Sequence, residues 1–243
     1  MMIVAMMALG CTSSQKRKPV FEKPRSAVGD STIYGLVCDG TNDSILVYLS
    51  DPYDGSDPDT LSILEAYKAH KVFGLLRVGD KLAMLRDTAD TSRVIMVVVT
   101  QDLLGQWCRK MLPKLRRKPG MEGISEEAVL AQLPDSIQQL LKQEKEYGFS
   151  LKIDSAALPI GFQLNISSEN EDNPLVYDRV KLYRQWCINN GKLLLTEAYT
   201  DSLGVQRAVA TDTAELVILA RDSLVLRIAG EEQGFYRKAD REE

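Results

Sequence analysis

Hydrophobic and polar positions change phase several times along this chain. Met1 to Leu9 is almost unbroken apolar text, and Gly10, Cys11 and the polar run Thr12–Lys18 end it abruptly. From about residue 12 to 30, Lys, Pro, Ser and Gly dominate without periodicity, which predicts a tether. Short apolar runs then begin. Ile33–Cys38 and Ser44–Leu49, joined by the turn Asp39–Asp43, predict a strand pair. After the acidic loop Asp51–Asp59, Thr60–Leu64 reads as a strand, while Leu61–Ala69 reads equally as a short helix. Lys71–Gly74, Lys81–Leu85 and Val94–Val99 follow, with a turn at Val78–Asp80. Short strands at this density predict a small antiparallel barrel over 31–100, similar to an oligonucleotide/oligosaccharide-binding fold.

The second half, 101–240, carries longer runs. Tyr183–Ile188 and Lys192–Ala198 flank Asn189-Asn190-Gly191, a strong hairpin signal. Ala214–Leu219 and Ser223–Ile228 flank Arg221-Asp222. Between residues 122 and 148 the spacing turns helical. Ser125 is a candidate N-cap, Leu133-Pro134 an interruption, Ile137, Leu140 and Leu141 an apolar face, and Gly148 a stop. A packing helix is the plainer reading of this insertion and a gating lid the bolder one. The fold class is therefore mainly β, two antiparallel barrels with an inserted α-helical segment.

Composition narrows the function. The chain has 243 residues, 44% hydrophobic and 26% charged, with a formal charge of −4. That is a globular composition, and its acidity argues against a nucleic-acid partner. His70 is the only histidine and sits among lysines in Lys68–Lys71, without the orienting carboxylate that a general base needs. The acidic loop lacks the pattern of a calcium loop, no Cys-x-x-Cys suggests zinc, and no glycine-rich cradle suggests a nucleotide. No catalytic residue, metal site or cofactor is expected. The basic run Lys114–Lys118 reads as a solvated face, or as a weak attractor of phosphate or anionic lipid.

The N-terminus resembles the lipobox of bacterial lipoproteins, where small residues precede a Cys that is acylated after cleavage. Its apolar run is roughly half the ~20 residues needed to span a bilayer. The resemblance implies residues 1–11 as signal peptide and lipidation site, Cys11 as the anchor, and membrane attachment facing the periplasm from the outer membrane. Lys16, Arg17, Lys18, Lys23 and Arg25 would lie against anionic headgroups or form a solvated tether. Asp-Ser/Thr followed by an apolar residue, as at Asp43-Ser44 and Asp212-Thr213, is similar to the O-glycosylation sequon of exported Bacteroidetes proteins. It is also ordinary turn chemistry.

Gly105-Gln106-Trp107, at the first strand of the second half, resembles the opening signature of lipocalins and related calycin barrels. Together with Arg237 near the end and the repeated hairpins, the order is similar to lipocalin-like lipoproteins of Bacteroidetes-type bacteria over residues 100–238. The resemblance implies Trp107 closing the barrel bottom against Arg237, as structural markers. It also implies a non-catalytic protein binding a small apolar or amphipathic ligand, with Tyr183, Trp186, Leu195 and Tyr199 as candidate lining residues. The alternative is a structural or adaptor lipoprotein that binds an envelope protein on its outer surface. Apart from Cys11, the cysteines are Cys38, Cys108 and Cys187. Cys108 and Cys187 each follow Gln-Trp, and they are either bridged across adjacent strands or buried and reduced.

Overall fold

In the run Val94–Val99 only Ile95 is exposed, and its buried valines face two separate clusters, so the apolar text shows no alternation. Val94 and Val97 face one hydrophobic cluster and Val98 faces another. In the computed structural model, which describes residues 29–115, 123, 126–161, 175–176, 181–202 and 206–239, this strand is the wall shared by two β-structures.

The first is a six-stranded sheet. Its elements are β1 (Ile33–Val37), β2 (Ile45–Ser50), β3 (Asp59–Ser62), helix α1 (Leu64–Lys68), β4 (Val72–Phe73), β5 (Lys81–Arg86) and β6 (Val94–Val99). The order is β3-β2-β1-β5-β6-β4, with only β4 and β6 parallel. A parallel bridge from Ser62 to Arg93 brings β3 back to β6 and nearly closes the ring. That order, with a helix after β3, is OB-like. Both readings of residues 60–69 are realised, as β3 and then α1. Leu46, Tyr48, Ile63, Leu82 and Met84 fill the interior.

Helix α2 (Thr100–Leu103) leads into the second structure. Its elements are β7 (Gly105–Met111), β8 (Lys114–Leu115), α3 (Glu126–Ala131), α4 (Asp135–Leu141), β9 (Lys145–Leu151), β10 (Ala157–Ile160), β11 (Leu175–Val176), β12 (Tyr183–Asn189), β13 (Lys192–Thr200), β14 (Gln206–Leu219), β15 (Ser223–Ile228) and β16 (Glu231–Lys238). Eight of these strands form one antiparallel sheet, β10-β9-β7-β16-β15-β14-β13-β12, and β8 pairs with β11 apart from it. The Ala156–Gln185 bridge and the Trp186 amide donating to the Ser155 carbonyl at 2.9 Å join β12 to the start of β10. The result is an up-and-down eight-stranded barrel, the architecture that lipocalins use.

One expectation is corrected here, and one open alternative is decided. The helical segment stops at Leu141, and Lys145–Leu151 is strand. Tyr147–Leu151 is buried throughout, and its large side chains Tyr147, Phe149 and Leu151 recur at period two. Gly148 is therefore no helix stop but a strand residue paired with Cys108. Cys108 and Cys187 are free thiols. They lie on β7 and β12, which are not neighbours: β9 and β10 separate them on one side and four strands on the other.

The two structures meet at one end of the barrel. Phe73, Ala83 and Val98 join the same cluster as Leu103 and Trp107. The Asn-Gly hairpin between β12 and β13 docks beside them. Asn190 (φ 46°) accepts from the Ser31 amide at 2.9 Å and donates to the Gly29 carbonyl at 3.1 Å. Gly191 (φ 72°) lies so close to Met96 that a Cβ there would collide with it. The Tyr34 hydroxyl donates to the Ile188 carbonyl at 2.7 Å across the same seam.

Candidate functional site

Alternation along each barrel strand decides what the interior contains. On β7 the inward set is Gly105, Trp107, Arg109 and Met111. On β16 it is Glu231, Gln233, Phe235 and Arg237. Both sets grade from a packed end to a polar end.

At the packed end Trp107 is fully buried, and its indole N–H donates to the Leu103 carbonyl at 2.8 Å. The Arg237 guanidinium lies 4.2 Å from the ring centroid. It donates to the carbonyls of Leu104 and Asp102, each at 2.5 Å, and of Arg221 at 2.6 Å. Gly105 (φ 123°) leaves room for that guanidinium; a Cβ would sit 2.6 Å from Nη1. Leu193, Leu195, Leu224 and Leu226, all fully buried, fill the adjoining layer. This end is a plug.

At the other end the packing opens into a cavity of about 420 Å³, within the usual range of small-molecule pockets. Its floor is aromatic. Phe149 meets Tyr183 edge-on with centroids 5.9 Å apart, and Phe235 in a tilted contact at 5.1 Å. Tyr147, Met111 and Ile228 complete the apolar wall.

The rim is polar. Lys181 Nζ donates to both oxygens of Asp212 at 2.5 and 2.7 Å, and the Tyr183 hydroxyl donates to Asp212 Oδ2 at 2.5 Å. Burial first, and then the Asp212 carboxylate, push the Tyr183 phenol well above its ordinary pKa. It therefore stays a protonated donor throughout the neutral range. Arg109 Nη1 donates to Gln233 Oε1 at 2.9 Å. Strands β7, β10 and β13 end and β9, β12 and β14 begin at this end, where the tight Ala229-Gly230 turn also lies; short turns close the opposite end.

No family model matches this chain, and no curated protein matches it. Among solved structures it is similar to a lipocalin-like protein from Bacteroides thetaiotaomicron, at 19% identity and a TM-score of 0.28, over 56% of this chain and 97% of that one. A superposition this loose says nothing about ligand or activity.

Of the four lining residues expected from the sequence, only Tyr183 borders the cavity. Trp186 and Leu195 are paired neighbours within the packed core, and the Trp186 indole donates to the Lys152 carbonyl at 2.9 Å. Tyr199 is corrected outright. It is 53% exposed, on the stretch of β13 that runs past the end of β12. The Glu197/Ala198 bulge and the start of β12 at Tyr183 put it beyond the barrel wall. Arg109, Phe149 and Asp212 are cavity residues that the sequence reading did not single out. For Arg109 the signal was present, two residues after Trp107 on the same face.

Elsewhere, His70 is exposed at φ 54° just past α1. Among the described residues no group of three His, Cys, Asp or Glu side chains is placed to hold a metal. Cys11, the tether to residue 28 and Arg116–Lys118 lie outside the described residues, as does Ser125.

Proposed function

We propose that this protein is a non-catalytic carrier whose barrel holds one small amphipathic molecule at its open end, and that Cys11 tethers it to a membrane. The observation that carries the binding reading is the cavity of about 420 Å³, aromatic at its floor and polar at its rim. Apolar burial supplies affinity there, and a few fixed polar groups supply orientation. The tethering reading rests on the lipobox-like text ending at Cys11. Under it the protein works in the cell envelope, on the periplasmic side of the outer membrane. Several acyl chains hold a protein there where one would not.

Native mass spectrometry of the protein purified from its host tests the carrier reading. A small molecule retained at one per chain is expected. A stoichiometric protein partner with no small molecule would instead support an adaptor. The exposed Tyr199 and Val209 on the projecting β13–β14 hairpin are the surface that reading would use. For the anchor, Cys11→Ala is expected to move the protein from the membrane fraction to the soluble fraction, and unchanged membrane association would refute tethering by this residue.

A further inference from the structure

The charges around the cavity are not equally satisfied. Asp212 accepts from Lys181 and Tyr183. Glu232 is paired with Arg227 at 2.6 Å, and Glu197 accepts from the Leu182 amide at 3.0 Å. Glu231 borders the cavity at its outermost edge, where it is exposed to solvent. Arg109 differs. It points inward from β7, is half-buried, and its one hydrogen bond among the described residues goes to the neutral carboxamide of Gln233. A guanidinium has five N–H donors in a rigid fork, and a single carboxamide oxygen uses one of them. The fork suits the two oxygens of a carboxylate or phosphate, and it borders the same cavity as the Phe149–Phe235 floor.

We propose that the ligand of this cavity carries an acidic head group, carboxylate or phosphate, seated on Arg109, with its apolar body on the Phe149–Phe235 floor. This rests on the carrier reading and adds the sign of the head group to it. A neutral or cationic amphiphile would leave the guanidinium without an acidic partner once the ligand excluded water.

Titration calorimetry of the purified protein with four probes of equal chain length tests it: dodecanoate, dodecyl phosphate, dodecanol and dodecyltrimethylammonium. At least one of the anionic probes is expected to bind about 10- to 100-fold more tightly than dodecanol, the range of a hydrogen bond to a charged group. Whichever anion binds more tightly identifies the head group. Arg109→Gln is expected to remove that preference, bringing the anionic probes down to the affinity of dodecanol. Should this variant fold poorly, the comparison among probes on the unaltered protein still decides. Dodecanol or dodecyltrimethylammonium binding as tightly as both anions would overturn the inference while leaving the carrier reading intact. If none of the four binds, the carrier reading fails and this inference with it.

Discussion

Arg237 serves three carbonyls from two separate loops while lying on the Trp107 ring, so one side chain ties α2, β7 and the β14–β15 turn together. Replacing it with Met keeps much of the bulk over the ring but leaves those acceptors without their donor. Arg237→Met is expected to lower stability by about 2–4 kcal/mol, read by urea unfolding, with ligand affinity of the folded fraction unchanged. A loss of affinity at full stability would place this residue in the binding site instead. Tyr34 makes a comparable claim at the seam between the two β-structures. Burial, foremost, with Cys187 and Asp30 adding to it, pushes its phenol up to about 12. Because the folded-state value is raised, its contribution is fully present below the ordinary tyrosine value near 10. It is lost as pH rises from there towards 12. Tyr34→Phe should flatten the alkaline decline in stability between pH 10 and 12, and a decline of unaltered slope would show that ionisation of the buried Tyr34 phenol is not its source.

At the scale of elements, the hairpins were the most legible part of the sequence and the inserted segment the least. Asn190-Gly191 needs two successive positive φ values, which few other residue pairs supply, so its chemistry announces the turn. The same turn also clamps residues 29–32, which no local pattern could reveal. Asn190→Ala is expected to cost about 1–2 kcal/mol and to speed amide exchange at Ser31, which the Asn190 side chain accepts from; unchanged exchange there would mean the clamp is incidental. Strand β9 was hidden because a helical pattern runs into it from α4. The alternation Tyr147, Phe149, Leu151 was the competing signal, and it won because the barrel buries that face. Strand β10 carries Pro159, which cannot donate to a ladder. It lies where the barrel closes through a single bridge. The lining of the cavity was legible only in part, since which face of a strand points inward depends on register and bulges that pairing alone fixes.

For the molecule as a whole, the shared wall makes the two β-structures one energetic unit. Phe73, Ala83 and Val98 belong to the same cluster as Trp107. Unfolding the first structure would strip Phe73, Ala83 and Val98 from the plug of the second. Urea unfolding is expected to show a single transition, coincident by tryptophan fluorescence and far-ultraviolet circular dichroism; two separated transitions would show that the halves are stable apart. The plug also fixes which end of the barrel can receive a ligand. Residue 29 is pinned at the closed end by Asn190, on the far side of the barrel from the mouth. The central claim is that this mouth is a binding site, and backbone chemical-shift mapping during titration with dodecanoate tests it most directly. Shifts that saturate at one equivalent and centre on Met111, Phe149, Ile228 and Phe235, and that vanish when Met111→Trp fills the cavity, are the predicted result. Shifts confined to the Tyr199 and Val209 hairpin, or none at all, would contradict it.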